Sequence, residues 1–261
     1  MQNHTYVICA YKESAYLEEC VQSVLAQNST SAVILCTSTP NAHIQGICEK
    51  YGVPMHVNNA KSSIHGDWNF AMDTAGTEYV TLCHQDDIYE PGYDAAMKKA
   101  LEKGGFDIFF TDYNELRNGE KSAKGLLLTI KRTLLLPLRF PFLQGAKWAK
   151  RWALRFGNSI CCPAVTYHRS ALPMPLFKGG LKSNLDWETW VRISDEKGKF
   201  AYYPEKLMCH RIHEESETSR IIGENQRGNE DYQIFIKFWP PFIAKALTQF
   251  YAASEKSNNV K

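Results

Sequence analysis

Residues 77–91, TEYVTLCHQDDIYEP, decide how the chain reads. Residues 79–83 form a short apolar, β-branched run, the pattern of a buried strand. The run stops at His84-Gln85-Asp86-Asp87, and the chain turns near Glu90-Pro91. Adjacent carboxylates beside a histidine, at the end of a buried strand, are costly to desolvate unless a cation or ligand compensates them. A solvated Asp-rich turn ahead of the helix starting near Gly92 is the alternative.

Outward from this stretch, the same alternation repeats. Apolar runs at 6–10, 32–36, 53–57 and 107–111 read as further strands. Between them lie helical patterns at 13–27, 44–51, 66–74 and 93–101, each with apolar residues on one face. Strands alternating with helices predict a mostly parallel, Rossmann-like α/β sheet covered on both faces. Ligands of such sheets bind beyond the carboxyl ends of the strands. Polar segments fall at those ends: Tyr11-Lys12-Glu13, Thr37 to Asn41, Asn58 to Lys61 and His84 to Asp87. Their convergence favours a ligand site over a solvated turn. No G-x-G-x-x-G or G-x-x-x-x-G-K-[ST] follows any strand, which removes the main support for a dinucleotide fold or a P-loop NTPase. A sheet that holds a nucleotide diphosphate through a carboxylate-bound divalent ion remains.

At 261 residues the chain is long enough for one large domain. Its eight cysteines contain no C-x-x-C pair and fall mostly in apolar runs, so they read as reduced core residues in a cytoplasmic setting. No secretory leader and no transmembrane span is expected. Charge is uneven: residues 121–185 hold twelve Lys/Arg and no Asp or Glu, while the rest of the chain carries 18 basic and 28 acidic residues. Such asymmetry marks a face that meets an anionic partner. Within 121–156, leucine triplets and Trp148 and Trp152 mix with lysine and arginine. That mixture suits an interfacial helix on an anionic membrane, placing the protein peripherally on the inner face. The alternative is a helical insertion that packs its leucines on the sheet. Toward the end of the chain, residues 157–167 read as a strand returning to the sheet, 201–203 and 207–213 as short strands, and 254–261 as a frayed end.

The run YVICAYKESAYLEECVQSVLAQ resembles the opening of family 2 glycosyltransferases, inverting enzymes of the GT-A fold. GDWNFAMDTAGTEYVTLCHQDDIYEP is similar to that family's third helix and fourth strand with its D-x-D region. LDWETWVRI resembles its E-D-x-D-L-W-L-R helix, and HRIHEES its Y-R-x-H-x-x-S segment. The likenesses come in family order over about residues 5–115 and 158–220.

The resemblance implies a nucleotide-diphosphate sugar donor, a UDP-sugar favoured, held by Ala10, Tyr11, Glu13, Thr37, Ser38, Asp67, His84 and Asp86. It implies a divalent cation, Mn2+ or Mg2+, on Asp86 and His213, and Asp186 as the general base, with Trp187 as an apolar wall and Glu188 as the next candidate. A glycan or lipid-linked acceptor in cell-surface polysaccharide synthesis is expected, and no nucleic acid. The corresponding layout is a donor half at 1–115, a basic helical insertion at 116–157, an acceptor half at 158–225 and a helical tail at 226–261, in one integrated domain. Two departures stand out. The family's aspartate pair after the second strand is Thr37-Ser38-Thr39-Pro40-Asn41, and the first acid of D-x-D is His84. Both leave open a degenerate nucleotide-sugar-binding scaffold.

Overall fold

The computed structural model describes residues 3–27, 29–213 and 227–256. In chain order the elements are β1 (His4–Ala10), α1 (Leu17–Leu25), β2 (Ala32–Thr37), α2 (Ala42–Tyr51), β3 (Met55–Val57), α3 (Ile64–Thr74), β4 (Tyr79–His84), β5 (Ile88–Tyr89) and α4 (Tyr93–Glu102). There follow β6 (Ile108–Arg117), β7 (Glu120–Ser122), α5 (Leu126–Leu134), α6 (Lys147–Leu154), β8 (Val165–His168), α7 (Leu185–Ser194), β9 (Phe200–Arg211), α8 (Arg227–Phe235) and α9 (Pro241–Lys256). The strands join one sheet in the order β3-β2-β1-β4-β8-β6-β9-β5, with β7 paired to β6.

The first half is the expected parallel α/β unit. β1 pairs in parallel with β2 and β4, and β2 with β3. The register sets Ala10 beside Thr37, Thr37 beside Val57 and Cys9 beside His84, so the strand ends lie level at one edge. Along β1, Tyr6 and Ile8 pack under α1, α2 and α4, while Val7 joins Val80 and Leu82 under α3, α6 and α7. This is the period-2 alternation of a sheet covered on both faces.

The second half differs from the sequence reading in three places. The returning strand is only Val165–His168; Cys162–Ala164 ahead of it is a 3-10 turn around Pro163, which has no N–H for a ladder. β8 is antiparallel to both β4 and β6. The short segments expected at 201–203 and 207–213 are one strand, β9, which passes Pro204 through irregularities in its register with β6. α9 continues as far as Lys256, into the stretch expected to fray; residues 257–261 lie outside the described residues.

The insertion divides between the two expectations. Leu128, Leu134, Leu135 and Leu138 are buried, and so is Lys150, whose Nζ donates to the carbonyls of Glu196 (2.6 Å) and Gly198 (3.2 Å). Arg132 ties α5 to the sheet by donating to Asp112 Oδ2 (2.7 Å) and to the Tyr113 carbonyl (3.0 Å). Leu126, Phe140, Phe142 and Trp148 stay exposed. Among the described residues no helix is long and apolar enough to cross a membrane.

Candidate active site

The carboxyl edge of β1, β2 and β4 is knitted by its own polar groups. Tyr11 N donates to Gln85 Oε1 and Gln85 Nε2 returns a bond to the Tyr11 carbonyl, both at 3.0 Å. Lys12, held at φ 57°, donates its N–H to Thr39 Oγ1 at 2.6 Å. This leaves the Tyr11 ring exposed at the rim, with Glu13 exposed beside it. Ala10 and Thr37 are buried at their strand ends.

Asp67, in the first turn of α3, is the hub of the neighbouring loops. Its carboxylate accepts from Asn58 Nδ2 (2.8 Å), Ser38 Oγ (2.9 Å) and Ser62 Oγ (3.1 Å). Ser38 is thereby turned toward Asp67. An acid in the first turn also suits the helix dipole.

The two adjacent aspartates part company. Asp87 is 1% exposed, and its Oδ1 accepts from Arg211 N (2.8 Å) and His210 Nδ1 (3.1 Å). Burial pulls His210 down, but the Asp87 charge and hydrogen bond outweigh it and raise its pKa. Asp87 thus fastens β9 to the edge. Asp86 stays accessible at that edge: Oδ1 accepts from Ser14 Oγ (2.9 Å), and Oδ2 lies 3.3 Å from His213 Nε2. Arg211 supports this pair by donating Nε to the Asp86 carbonyl (2.8 Å) and pairing with Glu19. Its guanidinium lies over the Tyr16 ring, which also meets the His213 ring edge-on at 4.9 Å. Of the HRIHEES segment, residues 214–216 lie outside the described residues.

His84 points to the other face of β4. Its ring stacks on Trp68 (5.1 Å between centroids, 27°), and Trp68 meets Phe177 edge-on. The Nε2 atom is buried without a hydrogen-bond partner among the described residues. Burial lowers the His84 pKa against the opposing pull of Asp87, Asp86 and Asp186, so the imidazole is neutral at pH 7. Asp186, in the opening turn of α7, is among the charges that act on His84.

Asp186 sits in the first turn of α7. Its Oδ2 accepts from Asn158 Nδ2 at 2.6 Å and its Oδ1 from Trp187 N at 2.7 Å, which fixes the carboxylate. One expectation about its neighbours is corrected. Trp187 is fully buried against Phe235 and Tyr251 and spends its indole N–H on the Leu154 carbonyl, so it anchors α7 instead of walling the site. The aromatic surface at the edge is Trp68 with His84 and Phe177. Glu188, the next candidate, is paired with Lys237 (3.2 Å) and Arg192 (3.9 Å).

Sequence reasoning missed Ser14, Asn158 and Arg211, because their partners lie 72, 28 and 125 residues away. It also missed Glu230. That carboxylate accepts from the backbone N–H groups of Lys182, Ser183 and Asn184, and so supplies from α8 the cap that α7 lacks locally.

The sheet order and its two helical layers form a GT-A fold. The family model described as glycosyl transferase family 2 matches residues 5–149, and the chain belongs to that family. Among solved structures, S. aureus TarS 1-349 in complex with UDP-GlcNAc is similar at 13% identity, with 94% of this chain and 70% of that chain covered and a TM-score of 0.61. The mannosyltransferase PcManGT from Pyrobaculum calidifontis, in complex with GDP-Man and Mn2+, is similar at 13% identity over 99% of this chain and 76% of that chain, with a TM-score of 0.66. Glucosyl-3-phosphoglycerate synthase from Mycobacterium tuberculosis, with Mn2+, UDP and glucosyl-3-phosphoglycerate, is similar at 13% over 87% and 80%, with a TM-score of 0.58. No curated protein matches the chain.

Proposed function

We propose that the protein is an inverting glycosyltransferase that moves a sugar from a nucleotide-diphosphate donor, a UDP-sugar favoured, to a hydroxyl of a glycan or lipid-linked acceptor in cell-surface polysaccharide synthesis. The observation that carries this reading is the meeting of Asp86 and His213 across 127 residues of chain, at the carboxyl edge of the sheet. Tyr11 offers the base and ribose an exposed ring, beside the Thr37-Ser38 turn that Asp67 holds in place. His84, stacked on Trp68, lies at that edge with its Nε2 buried and unpaired among the described residues.

A divalent cation, Mn2+ or Mg2+, fits the residues present. Asp86 and His213 would hold it, and no fuller cluster of three or more His, Cys, Asp or Glu occurs among the described residues. Two protein ligands suit an ion whose remaining positions belong to phosphate oxygens and water. Such an ion supplies charge stabilisation to a departing diphosphate. Asp186 takes the proton from the acceptor hydroxyl as that oxygen attacks the anomeric carbon from the face opposite the diphosphate. Asn158 and Trp187 N hold the carboxylate still while it does so, which limits the reorganisation the step requires.

The test is a thermal-shift and donor-hydrolysis screen of nucleotide sugars with and without manganese. A bound donor raises the melting temperature by mass action, and turnover without acceptor separates an enzyme from a scaffold that only binds. Asp86→Ala should lose the manganese-dependent shift while its ligand-free melting temperature barely moves. Asp87→Ala should instead cost about 3 kcal/mol of stability, because His210 and Arg211 N lose a buried anion. Intact metal dependence in Asp86→Ala overturns the assignment.

A further inference from the structure

The outer side of α6 carries a surface that the site does not use. Lys147, Trp148, Arg151, Trp152 and Arg155 recur at i, i+1, i+4, i+5 and i+8, a single helical face. With Phe238 from the turn after α8 they line a groove of about 510 Å³. The aromatic rings hold the cations at the surface: the Arg155 guanidinium lies 4.1 Å from the Trp239 ring centre and Arg151 4.4 Å from that of Phe238. Immediately before α6, Phe140 and Phe142 form an exposed pair, 53% and 79% accessible, and Trp148 is 57% accessible. Arg139, also exposed, stands next to Phe140.

We propose that this face docks on an anionic lipid bilayer, with Phe142 and Trp148 entering the acyl boundary and the arginines and lysine meeting lipid phosphates. Charge complementarity selects this occupant. The block from 121 to 185 contains no acid, and of the neighbouring elements Asp195 supplies the carboxylate facing the groove cations, bridging Lys147 and Arg151. A second copy of the chain would set this cationic face against its own kind, which is repulsive. A bilayer offers both an anionic surface and an apolar interior, the pairing that Trp, Phe, Lys and Arg on one face fit.

The placement also serves the reaction proposed above, although the docking surface stands without it. α6 touches α7 through the Leu154–Trp187 bond, and Asn158, just past α6, holds Asp186. An acceptor carried by a lipid reaches the carboxylate without leaving the membrane.

The experiment is flotation of the full chain with vesicles of neutral phosphatidylcholine, and with vesicles containing phosphatidylglycerol, without donor or metal. The expected result is recovery on the anionic vesicles that falls steeply with salt, because surface charge is screened. Arg139→Ser should lower partitioning about fivefold, the effect of about 1 kcal/mol for one cation near the surface. Phe142→Ser with Trp148→Ser should abolish recovery while the melting temperature holds, since both side chains are already exposed. No recovery, equal recovery on neutral vesicles, or an unchanged double variant overturns the proposal. Displacement by glycerol phosphate at matched ionic strength would make the groove a free-phosphate site. Self-association lost in the double variant, without vesicle binding, would make it a protein interface. Because donor hydrolysis is not read here, failure of this surface and failure of the transfer reaction are separate results.

Discussion

His4 and His84 stand at opposite ends of two neighbouring strands, β1 and β4, and burial lowers the pKa of both. At the amino edge, His4 is closed in. Its Nδ1 meets Ser31 Oγ at 2.9 Å and its Nε2 meets Thr81 Oγ1 at 2.8 Å, and these hydroxyls pass their bonds on to Asp94 and Thr166. At the carboxyl edge, His84 stacks on Trp68 but its Nε2 has no hydrogen-bond partner among the described residues. The same residue type, similarly desolvated, is a finished structural joint at one edge and an open position at the other. Buried polar atoms are ordinarily paired, and the proposed donor site would account for this exception.

The largest effect should come from Asp186. If the carboxyl edge is the reacting edge, Asp186→Asn keeps the shape and removes the proton acceptor. Turnover should fall by about two to four orders of magnitude, with donor affinity nearly unchanged. Measuring kcat together with donor binding decides the matter. Near wild-type turnover would leave the carboxyl edge without its base, and a joint collapse of turnover and affinity would make Asp186 a structural or donor-holding group.

A matched pair of substitutions sharpens the comparison next. His84→Phe preserves a ring against Trp68 and deletes an unpaired nitrogen, so the melting temperature should hold or rise while donor affinity falls about tenfold, the value of one hydrogen bond to a charged group. His4→Phe should do the reverse. Ser31 and Thr81 lose their partner, stability falls by about 2 kcal/mol, and donor affinity is untouched. Loss of donor affinity in both variants, or in neither, would erase the distinction between the edges.

How far the sequence foretold this depends on the distance over which each feature is decided. The strand end at Ala10 was legible, and those at Thr37 and His84 to within one residue, because alternation of apolar residues is local and the edge follows from a parallel arrangement. The choice of Asp86 over Asp87 came only from the family resemblance and could not be read from the residues themselves. Adjacent residues on a turn look alike until β9 arrives with Arg211 and His213, and nothing local says which carboxylate that strand will consume. The same holds for Trp187 and Glu188, which face partners in α8, α9 and the turn between them. β9 reads as two short segments, 201–203 and 207–213, in the sequence, whereas the strand runs on through Pro204 by register irregularities with β6. The Asn118-Gly119 turn joining β6 and β7, with φ of 50° and 82°, needed no long-range partner and was simply overlooked.

The last effect is one of pH, and it isolates the amino edge. Burial lowers the His4 pKa from 6.5 to about 3, the Asp94 charge opposing but not offsetting it. A histidine depressed in the folded state favours folding fully above its unfolded value, near 6.5, and that stability is lost as pH falls toward about 3. Between those limits the unfolded chain binds a proton that the folded chain refuses. The loss should be about 1 kcal/mol at pH 5.5 and about 3 kcal/mol at pH 4.5. His210 runs the opposite way: its raised pKa gives stability present below 6.5 and lost as pH rises through the folded value. It is present in both wild type and His4→Phe, as are the carboxylates, so their contributions cancel in the difference between the two. The stability advantage of wild type over His4→Phe should therefore be widest above pH 7 and close as pH falls to 4.5. Urea midpoints measured across that range read this directly. A difference that stays constant with pH would mean that His4 takes a proton in the folded state at little cost, and that the amino edge is no more closed than the carboxyl edge.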